Sequence, residues 1–99
     1  MVIIWSDLAR EDLHAIHQYI AHDSKYYAKH VVKTIFDKVT ILEELPRIGK
    51  KVSEINEENV REISVYSYRI IYEIIQNTIY IHCVIHNRRL LTHNYLQRN

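Results

Sequence analysis

The sequence predicts an α+β fold: an N-terminal strand, an antiparallel helical hairpin, a three-stranded antiparallel sheet and a short C-terminal tail or helix. Three observations carry this expectation. Apolar residues recur with a helical period through residues 7–45, and β-branched and aromatic residues dominate residues 60–91. Pro46 and Gly49, each the single residue of its type, fall together at the border between the two regimes. No linker, repeat or low-complexity tract interrupts the 99 residues, so one domain over 1–99 is expected.

The elements follow in chain order. Met1 to Trp5 (MVIIW) is a short β-branched run and reads as a strand. Asp7 is the expected N-cap of a first helix whose apolar stripe is Ala9, Leu13, Ile16 and Ile20. Asp23 or Ser24 caps a second helix, with Ala28, Val31, Val32, Ile35, Val39 and Leu42 on one face. Pro46 disfavours helical geometry at Leu45 and closes it. The short connection makes the two helices an antiparallel hairpin, and their apolar stripes need a third surface to cover them. NVREISV, YRIIYEII and IYIHCVIH supply it as strands, the last two joined by Gln76, Asn77 and Thr78 in a hairpin. Alternation along the middle strand places Tyr68, Ile70, Tyr72 and Ile74 on one face and Arg69, Ile71, Glu73 and Ile75 on the other. With the helices on one side, the second face is expected to be free, leaving Arg69 open to a ligand.

Composition narrows the function. Net charge is +1, with five Lys and Arg against seven Asp and Glu in residues 1–45 and eight against five in residues 46–99. This mild asymmetry is far from a surface that holds nucleic acid by charge alone, so any such role rests on a few placed residues. Cys83 is the single cysteine, which excludes an intrachain disulfide and a Cys-based zinc site and fits a buried thiol in a reducing compartment. The N-terminus has neither a basic n-region nor a small-residue cleavage site, and no run approaches the roughly 18 apolar residues of a membrane span. A cytoplasmic protein without a membrane partner is expected.

Four motifs occur in one order: DLxxIxxYI (Asp12 to Ile20), the Arg61-Glu62 pair, YRIIYEI (Tyr68 to Ile74) and VIHxRRxL (Val84 to Leu91). Together with the element order they resemble the RelE/ParE superfamily of toxins from type II toxin-antitoxin systems. The resemblance covers nearly the whole chain and implies a growth-arresting toxin that a cognate antitoxin protein neutralises. It also implies one of two mechanisms. RelE-like members are ribosome-dependent mRNA endonucleases (mRNA interferases), whereas ParE-like members, associated with plasmid stabilisation, poison DNA gyrase.

On the endoribonuclease reading the resemblance assigns catalysis to Arg69, Arg89 and Tyr95, with Glu62, His86 and His93 as weaker candidates. Attack of a ribose 2′-OH on phosphate builds charge that guanidinium groups stabilise, while a base and an acid handle the protons. The two lysines that RelE-like enzymes carry on the preceding strand fall, counted back from Arg69 without gaps, at Val60 and Glu62. VIHNRRLL looks more like the ParE-like branch, which is the preferred reading. It implies no catalytic residue, and it makes Arg61, Arg69, His86, Arg88 and Arg89 the residues that bind the target or nucleic acid. A third reading is a non-toxic binding module of the same fold, expected if the sheet face and C-terminal tail are disordered or covered by their own chain.

Plainer roles stand beside each of these. Arg69 can be a strand residue paired with Glu62 or Glu73, contributing about 0–1 kcal/mol. Arg88 and Arg89 can be a solvated strand end, and Tyr95 a core anchor with a wet hydroxyl. Tyr66, Tyr68, Tyr72, Tyr80 and Tyr95 do not share a face and read as packing residues, with Tyr68 and Tyr72 against the helices. No metal or cofactor is expected. His82 and His86 lie about 13 Å apart on a strand, too far for one ion, and His14 with His17 offers two ligands without a third.

Overall fold

The computed structural model describes residues 1–92, 95 and 96. The elements are β1 (Val2–Trp5), α1 (Asp7–Ala21), α2 (Lys25–Thr40) with a 3-10 turn at Ile41–Glu43, β2 (Lys50–Lys51), β3 (Val60–Val65), β4 (Tyr68–Ile75) and β5 (Thr78–His86). The α+β arrangement of strand, helical hairpin and sheet is as the sequence predicts. The sheet is larger than expected, with five strands in the order β1-β5-β4-β3-β2. β1 joins it parallel to β5, and the short β2 adds to β3 as an antiparallel edge.

Both helices begin where a hydroxyl can accept an orphan N–H. Ser24 Oγ accepts from Tyr27 N (3.1 Å). Ser6, and not Asp7, caps α1: its Oγ accepts from Ala9 N (2.9 Å) and donates to His82 O (2.7 Å). Asp7 is instead the first helical residue, where its charge faces the positive end of the helix dipole. The displaced cap follows from the sheet, because a serine hydroxyl can donate as well as accept and so ties α1 to β5. Asp12 extends the tie: its Oδ2 accepts from Val84 N (2.9 Å). β1 pairs with β5 only from Thr78 to Ile81, so Ser6 and Asp12 satisfy the β5 edge beyond that pairing.

The main core lies between the hairpin and the sheet. Val31, Ile35, Val39 and Leu42 meet Ile70, Tyr72, Ile79 and Ile81, with Tyr68 packed at the margin. Tyr72 is fully buried, and its hydroxyl donates to Pro46 O (2.7 Å) while accepting from Gly49 N (3.1 Å). A Cβ on Gly49 would lie 2.6 Å from both Glu62 O and Tyr72 Oη, so the close approach of this loop to the sheet requires glycine. The β4–β5 loop is the two residues Gln76 and Asn77, with Gln76 at φ 52° and Thr78 already in β5.

The second sheet face is not free at the Arg69 end. Ile71, Cys83 and Ile85 there meet Val52, Ile55, Val60, Leu91 and Leu96 in a second core, with Leu8 and Tyr95 against it. A bulge between Ile71 and Tyr72 pairs them with Cys83 and Ile81, so His82 is the extra residue. Val52 and Ile55 from the loop after β2, and Leu91, Tyr95 and Leu96 from beyond β5, close over the resulting apolar patch. Strict alternation hides this, since it predicts which side a residue faces but not that a distant loop covers that side.

Candidate functional site

Arg69 projects from β4 into this second layer with only 11% of its side chain exposed. Glu62 on β3, 5% exposed, takes Nε and Nη2. Glu54, on the loop after β2, takes Nη1 and Nη2 as a bidentate pair at 2.8 Å each. Arg89 O accepts a further bond from Nη1 (3.3 Å). A guanidinium has five N–H donors, and these contacts occupy each of them. Glu54 also accepts from Leu91 N (3.0 Å), so one carboxylate joins the loop, the sheet and the C-terminal segment.

The charges respond accordingly. Hydrogen bonding to Arg69 holds the Glu54 carboxyl at about 2, below its ordinary 4.5, against a smaller opposing effect of burial. The two carboxylates raise the Arg69 pKa further. Burial pushes the Cys83 thiol up to about 12, with the Asp12 charge adding to it. Burial also raises Asp12 itself, although the Val84 N–H and nearby Arg89 oppose the effect.

Above the Glu54–Arg69–Glu62 cluster lies a depression of about 440 Å³ whose rim carries Lys50, Arg88 and Arg89. Lys50 Nζ is 3.9 Å from Glu62 Oε1. Arg88 and Arg89 are exposed, and Arg89 Nη1 stands 3.5 Å from Tyr95 Oη. His86 closes β5 with its ring edge-on to Tyr68 (6.0 Å) and its Nδ1 accepting from Arg88 N (3.2 Å).

The structure therefore gathers Glu62, Arg69, Arg88 and Arg89 at one end of the sheet, with His86 and Tyr95 at its margins. It does not bring Arg61 into this group. Arg61 alternates with Glu62 along β3 and is held by Glu58 (2.7 Å) and Gly49 O (2.8 Å). His93 lies outside the described residues. Glu54 was missed because a glutamate in a loop without periodicity carries no pairing signal. The Arg69 partner expected as Glu62 or Glu73 is Glu62 with Glu54, while Glu73 Oε1 lies 2.8 Å from Nε2 of the fully buried His82. Among the described residues no group of three His, Cys, Asp or Glu side chains could hold a metal ion. No helix of the described residues is long and apolar enough to cross a membrane.

Comparison with solved structures gives the same fold. A chain from the chromosomal ParDE TA system of P. aeruginosa superposes with a TM-score of 0.73 at 20% identity, covering 87% of this chain and 95% of that one. A chain of the RelBE2 toxin-antitoxin complex from Mycobacterium tuberculosis gives 0.55 at 22% identity, covering 86% and 95%. No curated protein matches the chain. The family model described as ParE toxin of type II toxin-antitoxin system, parDE, matches residues 3–91. The chain thus belongs to the ParE toxin family within the RelE/ParE superfamily, the toxins of type II toxin-antitoxin systems.

Proposed function

We propose that this toxin arrests growth by occupying DNA gyrase rather than by cutting RNA, and that a cognate antitoxin neutralises it. The observation that carries the reading is the saturation of Arg69. Its guanidinium is engaged on every donor by Glu54, Glu62 and Arg89 O, so a scissile phosphate would have to displace two carboxylates to reach it. The strand positions that carry lysines in RelE-like enzymes hold a core valine, Val60, and Glu62, already bound to Arg69. The cationic cluster needed to stabilise a phosphorane is therefore reduced to the rim.

On this reading Arg69 is a clasp that fixes the backbone at Arg89 and Leu91, and Arg88, Arg89 and His86 are the groups that meet the target. The endoribonuclease reading keeps one supporting observation, the 3.5 Å approach of Arg89 to Tyr95. The covered second face favours a module without toxicity, but Arg88, Arg89 and His86 remain exposed. The antitoxin is inferred from family membership and from the toxin-antitoxin assemblies to which the two similar structures belong.

Induction of the chain in a bacterial host tests the proposal. Growth arrest with a DNA-damage response, relieved by Arg89→Ala in a protein that still folds, is the expected outcome. Arrest that persists undiminished in folded Arg89→Ala removes the rim from the mechanism.

A further inference from the structure

The two edges of the sheet differ in chemistry. β2 is two residues long and both are lysine, a composition that keeps an edge from pairing with a foreign strand. β1, at the opposite edge, is VIIW and holds no charge, proline or glycine. Its pairing with β5 uses one side only. Val2 N donates to Asn77 O (3.2 Å) and Ser6 N to Ile81 O (3.0 Å), so the even-numbered residues turn their backbone to β5, and the N–H and C=O groups of Ile3 and Trp5 point away from the sheet. Among the described residues no hydrogen bond reaches those groups.

The side chains of this edge are apolar on both faces. Ile3 and Trp5 pack on the main core, and Trp5 stacks on Phe36 at 5.3 Å, leaving Phe36 half exposed. Val2 and Ile4 face the other way, 57% and 44% exposed, in register with Thr78 and Tyr80 of β5. Ile75, also exposed and paired with Thr78, continues that row on β4. The second core covers the outer face around Ile71, Cys83 and Ile85 and does not include Val2, Ile4 or Ile75. An apolar surface therefore adjoins the open backbone of β1 on either side.

We propose that β1 seats a second copy of this chain, which adds its own β1 antiparallel across a two-fold axis and joins the two five-stranded sheets into one. Self-complementarity selects the occupant. With the axis at Ile4, Ile3 lies opposite the partner's Trp5 and Trp5 opposite the partner's Ile3, and every outward N–H and C=O finds its counterpart in about four ladder bonds. Ile4 meets the partner's Ile4 on the outer face, and the two Ile–Trp pairs lie on the inner one. No charge of the strand faces a like charge, whereas two copies of β2 would set lysine against lysine. The seam is short, so the dimer is reversible, with a dissociation constant of about 10–100 µM. No residue of β1 lines the depression rimmed by Lys50, Arg88 and Arg89, so the seam uses no part of either copy's rim and is independent of the gyrase reading.

Sedimentation equilibrium of the full chain tests the seam with wild type, Ile4→Lys, Ile4→Glu and an equimolar mixture of the two variants, while amide exchange is followed at low and high protein concentration. The side chain of Ile4 is exposed in the monomer, so either charge leaves the fold intact. Wild type should dimerise with little dependence on salt, and each variant alone should associate at least about tenfold more weakly, because like charges would meet about 5 Å apart at the axis. The mixture should recover pairing, more strongly at low salt, which a misfolded variant would not do. The amides of Ile3 and Trp5 should exchange more slowly as concentration rises. A wild type that stays monomeric at about 500 µM, a dimer unaffected by either variant with no protection at Ile3 and Trp5, or a mixture that fails to recover pairing overturns the proposal. Protection of Ile3 and Trp5 that arises only when the protein of the adjacent open reading frame is added also overturns it, since the edge then belongs to a different chain.

Discussion

Glu54→Gln removes the carboxylate that joins Arg69 to the backbone at Leu91 while keeping the side-chain volume. The wild-type carboxyl is held at about 2 against an ordinary 4.5. At ~1.4 kcal/mol per pH unit, that depression corresponds to at most about 3.5 kcal/mol of stability. The side chain is 22% exposed, so screening and residual rotamer freedom lower the expected cost to about 1–2 kcal/mol. The sign follows from the direction of the depression. Between the folded and unfolded pKa values the unfolded chain binds more protons, so the contribution is complete above pH 4.5 and is lost as pH falls through about 2. Urea denaturation of both proteins at several pH values measures the gap. It should be greatest at neutral pH and shrink steadily below pH 4.5. A gap under about 0.3 kcal/mol at pH 7, or one that does not change with pH, refutes the clasp.

Two further outcomes are expected. Gly49→Ala should destabilise by about 2 kcal/mol or more, because its Cβ would meet backbone at Glu62 and the buried Tyr72 hydroxyl; a thermal melt within a degree of wild type would contradict this. Cys83, fully buried and held near 12, should react with a thiol reagent at neutral pH no faster than the protein unfolds, and rapid labelling of the native state would show that the second core is open.

The sequence made the helix stripes and the inner sheet face legible because burial there repeats with a fixed period. Ala9, Ile16, Val31, Ile35, Val39, Ile70 and Tyr72 all lie in the main core. The outer face was not legible in the same way. Whether Ile71, Cys83 and Ile85 meet solvent depends on residues 52–59 and on Leu91 and Leu96, which carry no period of their own and come from remote parts of the chain. The expected exposure of Arg69 failed for this reason. The shift of the α1 cap from Asp7 to Ser6 has a similar origin, because Ser6 is chosen by its bond to His82 O, 76 residues away. Asp12, prominent in the first motif, owes its position to the unpaired β5 edge. Arg88 and Arg89 were legible as a cluster because they adjoin in sequence, whereas the contribution of Glu54 required the tertiary fold.

In the proposed function the rim of exposed cations acts by binding gyrase and Arg69 serves structure. A supercoiling assay with purified gyrase, run beside a ribosome-dependent mRNA cleavage assay, tests it most directly. Wild type should inhibit supercoiling and leave mRNA intact, and Arg88→Ala with Arg89→Ala should abolish inhibition while preserving the fold. Cuts in ribosome-bound mRNA made by wild type and lost in Tyr95→Phe, with gyrase unaffected, would contradict the account.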